Sequence, residues 1–161
     1  MGCRLKRWSR IILAGIVLLL GASLLSRPVQ SERASAPLLP GAQVDQQVLS
    51  ILQRACQDCH SGTTHYPWYS YIAPVSWWLQ GHVANGRKHL DLSTWNTYPL
   101  PRRERLLSDI ANQVKDGEMP LRSYTLIHRD ARLSESDVNA IFRWTQTERA
   151  RLIAESSRAD R

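Results

Sequence analysis

An all-α domain of about four helices, standing behind an apolar N-terminal helix, is the fold class these 161 residues predict. Three observations carry that expectation. Residues 11–25, IILAGIVLLLGASLL, form a charge-free apolar run. Four later segments place their apolar residues three and four apart, the spacing of one helix face. Nowhere does an apolar–polar alternation persist long enough to build a strand. Hydrophobic residues make up 43% of the chain, enough for a buried core, and no internal repeat is visible.

The N-terminus reads as an address. Arg4, Lys6, Arg7 and Arg10 precede the apolar run, the order of a secretory signal or an uncleaved signal anchor. Trp8 and Ser26 extend the run toward the length a membrane-spanning helix needs. Ala34-Ser35-Ala36 has the small residues of a cleavage site, but it lies late and is followed by Pro37. The expectation is therefore an anchor over residues 1–26. Its basic flank stays inside, and the rest of the chain lies beyond a bacterial inner membrane, in the periplasm. Cys3 precedes the apolar run rather than following it, so it is read as a spare thiol and not a lipidation site. Residues 27–41, RPVQSERASAPLLPG, hold three prolines and read as a linker. The globular domain is expected over 42–155.

The first domain helix follows from Val44, Val48, Leu49, Ile51, Leu52 and Ala55. Residues 61–73 are rich in Gly, Thr, Tyr and Ser and read as a loop. A second helix over 75–90 carries Val75, Trp78, Leu79, His82, Val83 and Leu90 on one face, weakened by Gly81 and Gly86. Pro101 suits the first turn of a third helix. Its stripe is Leu106, Leu107, Ile110, Ala111 and Val114, and Gly117 is its stop. The fourth helix starts near 133, where Ser134 and Asp137 approach a capping box, with Val138, Ile141 and Phe142 as the buried stripe.

Charge excludes one class of partner. The net charge is +7, but residues 1–33 account for +5 of it, leaving +2 on residues 34–161. A nucleic-acid binder carries its basic patch on the folded domain. The short runs at 87–89 and 102–105 read as solvated helix faces, so no nucleic-acid partner is expected.

The chemistry lies in ACQDCHS, 55–61. Two thiols three apart, followed at once by an imidazole, suit a redox disulfide, half of a zinc site, or a covalent haem anchor. A thioredoxin-like oxidoreductase places C-x-x-C after a strand, and here a helix precedes it. Structural zinc needs four ligands, and the remaining histidines, 65, 82, 89 and 128, are scattered. Haem attachment needs nothing further. Cys56 and Cys59 reach the two vinyl groups, and His60 becomes the proximal iron ligand. Met119, in DGEMPL, is the candidate sixth ligand, since a thioether is a known axial group and Pro120 stiffens its segment. A gap-filling core role is the plain alternative for a lone Met. His82, His89 and His128 are weaker candidates for the same position. Tyr66, Trp68, Tyr69, Tyr71, Trp77 and Trp78 suit a haem wall or ordinary core.

These segments together resemble a known family. ACQDCHS, YPWYSYIAPVSWWL, GRKHLDLSTW, DGEMPLRSYTLIHRDARLS and SESDVNAIFRW look like the bacterial haem-binding domain family, a cytochrome-c-like group, over roughly residues 43–150. The resemblance implies haem binding. More loosely, the order helix, CxxCH, Met-Pro, closing helix is similar to class I cytochromes c, which implies His60 and Met119 as iron ligands. The insert at 61–95 departs from that group and offers its own cover or ligand for the iron. The leading expectation is a membrane-tethered single-haem electron carrier with redox partner proteins, not an enzyme. A cytochrome-type peroxidase and a haem-based sensor or assembly module are the alternatives.

Overall fold

The computed structural model describes residues 2–25, 27, 28, 31 and 36–159, with side chains between 7 and 158. Ser26, linker residues 29, 30 and 32–35, including Ala34 and Ser35, and the side chains of Cys3, Arg4 and Lys6 lie outside the described residues. The described chain is all-α, without a strand. It contains seven α-helices: α1 Gly2–Leu25, α2 Gln46–Ala55, α3 Gln57–His60, α4 Val75–His89, α5 Leu100–Lys115, α6 Arg122–Ile127 and α7 Glu135–Ala159. Short 3-10 helices occupy Trp68–Tyr71, Leu92–Thr97 and Arg129–Ala131.

The four expected domain helices are α2, α4, α5 and α7. The additions are short: α3 and α6 hold four and six residues, too few to show a period of 3.6 in sequence. Each start has a local cause. Asp45 caps α2 by accepting the Val48 N–H at 2.8 Å. Pro101 sits in the first turn of α5. Gly117, at φ +70°, ends α5 in the left-handed conformation that a side chain disfavours.

The core gathers around α5 and α7, which pack on each other, with α2 packed on α7. Val48, Ile51 and Leu52 come from α2, Leu106, Leu107 and Val114 from α5, and Ala140, Ile141, Trp144 and Leu152 from α7. Leu92 and Trp95 of the 3-10 helix Leu92–Thr97 complete it. Leu39, read from sequence as linker, is also core. It adopts φ +53° and donates its N–H to the Leu92 carbonyl at 2.8 Å. The approach to the domain is pinned further along. The Trp144 indole donates to the Gln43 carbonyl at 2.8 Å, and Gln43 N–H donates to the buried Glu148 carboxylate, which pairs with Arg151.

Two expected stripes are turned. Phe142 is 40% exposed, and the inner line of α7 runs through Ile141, Trp144, Thr145, Glu148 and Leu152. Trp144, two residues on, fills the volume expected of Phe142. On α4, Val75 and Trp78 are exposed, whereas Ser76 and Val83 are buried. The aromatic cluster is therefore not ordinary core: Trp68, Tyr71, Trp77 and Trp78 are all exposed.

The N-terminus of α7 shows the expected reciprocal cap. Asp137 Oδ2 accepts from the Ser134 N–H at 2.8 Å and its hydroxyl at 2.7 Å, and Ser134 Oγ accepts the Asp137 N–H at 3.2 Å. Arg54 of α2 pairs with the same carboxylate at 2.7 Å. Burial pushes the Asp137 carboxyl up, but the hydrogen bonds from Ser134 and Arg54 outweigh it and hold the group below its usual range. Stability from a depressed carboxyl is present above its unfolded value, near pH 4, and is lost as pH falls through the lower folded value. Asp137→Ala is expected to cost about 1 kcal/mol at pH 7. Urea melts should show variant and parent converging as pH falls through that lower folded value.

Candidate functional site

The site begins where α2 stops. Cys56 leaves helical geometry at φ −125°, and its carbonyl accepts from both Cys59 N–H (3.2 Å) and His60 N–H (2.9 Å). This single extra turn, α3, brings Cys56, Cys59 and His60 onto one small unit. Both cysteines are half-buried free thiols. Burial is the main force pushing Cys56 up to about 12 and Cys59 up to about 11. Neutral thiols are slow nucleophiles, which argues against disulfide exchange. Among the described residues, no group of three or more His, Cys, Asp or Glu side chains is arranged to hold a metal ion. That argues against the zinc reading.

His60 is oriented by the end of α4. Its Nδ1 lies 3.1 Å from the Leu90 carbonyl oxygen, and the nearby Gly86 carbonyl also favours the charged ring. A carbonyl only accepts, so Nδ1 carries the proton and Nε2 keeps its lone pair. Burial lowers the His60 pKa, opposed by those two carbonyls, and the imidazole is held in the neutral form that binds metal. A second-shell carbonyl that fixes tautomer and ring direction is the usual support of a ligating histidine.

Gly86 makes this possible. A Cβ there would stand 2.6 Å from the Cys59 carbonyl oxygen and 3.3 Å from its carbon. Both are backbone atoms, so only glycine lets α4 approach α3 this closely. In sequence Gly86 looked like a helix weakness, and nothing in the pattern separates it from Gly81 of the same helix. The next residue, Arg87, secures the exit from α3. Its guanidinium donates to the Ser61 carbonyl at 2.6 Å and to Thr64 Oγ1 at 2.8 Å.

Asp58, inside the C-x-x-C pair, ties the turn to α6. Its Oδ1 accepts the His65 N–H at 2.9 Å, and its Oδ2 accepts the Tyr124 hydroxyl at 2.8 Å. Burial and the Asp58 charge both raise the Tyr124 pKa, which keeps it a donor. Tyr124 stacks on His128 at 4.2 Å, and His128 Nε2 meets the Tyr69 hydroxyl at 2.7 Å. Neither Asp58 nor Tyr124 was singled out from sequence.

The other candidates divide. Met119 is half-buried on the segment between α5 and α6. The Gln113 carbonyl accepts both its N–H (3.1 Å) and that of Glu118 (3.0 Å). Five residues later, Tyr124 binds Asp58, so the Met119 segment is fastened to the CxxCH turn. His82 stacks on Trp78 at 4.2 Å and directs Nδ1 to the Trp78 carbonyl. His82 lies four residues before Gly86, one helical turn away on the same side of α4. His89 is exposed, with Nδ1 on the Asn85 carbonyl. His128 has its Nε2 engaged by Tyr69. His65 is exposed and pairs with Asp58.

A family model described as the haem-binding domain matches residues 16–147, and the chain belongs to that family. No curated protein and no solved structure matches the chain. The residues present fit such a group: His60 offers a neutral imidazole whose Nδ1 faces a carbonyl, and Cys56 and Cys59 are free thiols beside it.

The close approach sets a sharp contrast between two glycines of one helix. Gly81 has nothing within 4 Å of a Cβ, so Gly81→Ala should stabilise the protein by about 0.5–1 kcal/mol through helix propensity. Gly86→Ala should destabilise it by about 1–3 kcal/mol, because overpacking against backbone outweighs the same propensity gain. Denaturant midpoints of the two variants check the opposite signs.

Proposed function

We propose that this haem-binding protein is a membrane-tethered c-type cytochrome that carries single electrons. Cys56 and Cys59 would hold the haem by thioether bonds, and His60 Nε2 and Met119 Sδ would supply the iron ligands. The observation that carries this reading is the tautomer of His60. Its Nδ1 is committed to the Leu90 carbonyl, within one helical turn of two free thiols.

The haem supplies the reversible one-electron chemistry, and the chain supplies attachment, orientation and tuning. Cys56 and Cys59 fix the group on α3. Leu90 holds the imidazole in place through its Nδ1. Asp58 and Arg87 stiffen the turn from opposite sides. A thioether at the sixth position favours the reduced iron and raises the potential relative to a second imidazole. With Met119 as second ligand the iron would be coordinatively filled, and the carrier reading rather than a peroxidase or sensor would follow. Helix α1 supports the tether. Its span Arg7–Leu25 is long and apolar enough to cross a membrane, and its basic flank supports a periplasmic haem domain. Redox partner proteins complete the proposed role.

The test uses the full chain expressed with haem-maturation machinery. Haem is expected to stay on the polypeptide after acid denaturation and to give the pyridine haemochrome of a twofold thioether. Oxidised protein should show the Met–iron charge-transfer band, and Met119→Ala should abolish it. Covalent haem without that band moves the sixth ligand to His82, His89 or His128. Haem lost on denaturation, where a control cytochrome keeps its own, contradicts thioether attachment.

A further inference from the structure

Residues 66–81, YPWYSYIAPVSWWLQG, contain no Asp, Glu, Lys or Arg. They form the 3-10 helix Trp68–Tyr71, a turn and the first half of α4. Three of their large apolar side chains stand well out of the protein: Trp68 is 77% exposed, Ile72 45% and Trp77 55%. Soluble surfaces seldom carry such a concentration of apolar residues, and where they do it marks an interaction site.

The position of this surface identifies its partner. The backbone N–H of Ala73 donates to Ser23 Oγ of α1 at 3.0 Å. Ser23 lies two residues from the end of the apolar span Arg7–Leu25. Nineteen residues of helix extend about 28 Å, close to the thickness of a bilayer's hydrocarbon core. Ser23 therefore falls at the far boundary of that core, and the segment joined to it lies at headgroup level. Tryptophan with intervening apolar and hydroxyl residues, and no charge, is the composition of that boundary.

The haem site does not claim the same residues. Trp77 precedes Gly86 by nine positions, which at 100° per residue is the opposite side of α4. Gly86 faces the Cys59 backbone, so Trp77 points away from the CxxCH turn. Trp78 and His82 lie on the flank nearer Gly86 and are left to the haem.

We propose that Trp68, Ile72 and Trp77 sit in the headgroup–acyl boundary of the membrane that α1 crosses. The haem domain is then held against the bilayer in one orientation, with a fixed face toward its redox partners, instead of ranging on its linker. The proposal rests on the anchoring of α1 given above.

The test uses the full, haem-loaded chain in lipid nanodiscs, labelled with 5-fluorotryptophan and kept reduced so that low-spin iron is diamagnetic. Fluorine resonances are assigned with single Trp→Phe variants. Each is measured with a headgroup-level spin-labelled lipid and with a water-soluble gadolinium chelate. Trp68 and Trp77 are expected to be relaxed several-fold by the lipid label and little by the chelate, as Trp8 is, while buried Trp144 responds to neither. Trp8 relaxed by the lipid label with Trp68 and Trp77 relaxed by the chelate overturns the docking surface and leaves the anchor standing. Trp68 and Trp77 shielded from both agents also overturns it, since haem or protein then covers them. A Trp8 that the lipid label does not reach overturns anchor and surface together.

Discussion

The contact between the Gly86 backbone and the Cys59 backbone governs this structure. It brings α4 close enough to α3 for the Leu90 carbonyl to reach His60 Nδ1 and for Arg87 to reach the Ser61 carbonyl. The imidazole is thereby fixed in tautomer and direction before any question of its ligand arises. The opposite side of the turn is held independently by Tyr124 on Asp58. A four-residue helix has little stability of its own. Here it is clamped from α2, α4 and α6, and its two thiols and imidazole become one rigid donor set.

The remaining helices separate into a stable part and a working part. α2, α5, α7 and the 3-10 helix Leu92–Thr97 supply the apolar core, fastened at its edge by Glu148, Arg151 and Trp144. α4 contributes little to that core: among its buried side chains are Ser76 and Val83, with Trp78 and Val75 outside. Its task is positional. One flank meets the CxxCH turn, and the opposite flank leaves Trp77 exposed, four residues beyond the Ala73 N–H that binds Ser23 of α1. This division explains why so many large aromatic residues of a small domain stay out of its core.

Much of the fold was legible because amphipathic spacing reports on burial when one face meets protein and the other meets water. That condition holds for α2 and α5, whose buried residues fall on the expected stripes. The Ser134–Asp137 cap was legible because capping is a local hydrogen-bond pattern. α4 broke the condition. Val75, Trp77 and Trp78 stand exposed while Ser76 and Val83 are buried, and periodicity cannot tell an exposed apolar face from a buried one. Phe142 was misplaced because Trp144 competes for the same inner volume. Leu39 was misread because its burial depends on a bond to Leu92, fifty-three residues away. In the site, Cys56, Cys59 and His60 stood out by spacing. Gly86, Arg87, Asp58 and Tyr124 act through backbone approach and long-range hydrogen bonds, which leave no motif.

The most direct test of the His60 geometry is ring NMR on the reduced, haem-loaded full chain labelled with ¹⁵N-histidine. The account predicts that His60 alone has ring protons shifted far upfield by the haem current. Its Nδ1 should carry a slowly exchanging proton, shielded by the Leu90 carbonyl, and its Nε2 none. A His60 ring with unshifted protons, or with the proton on Nε2, would contradict it.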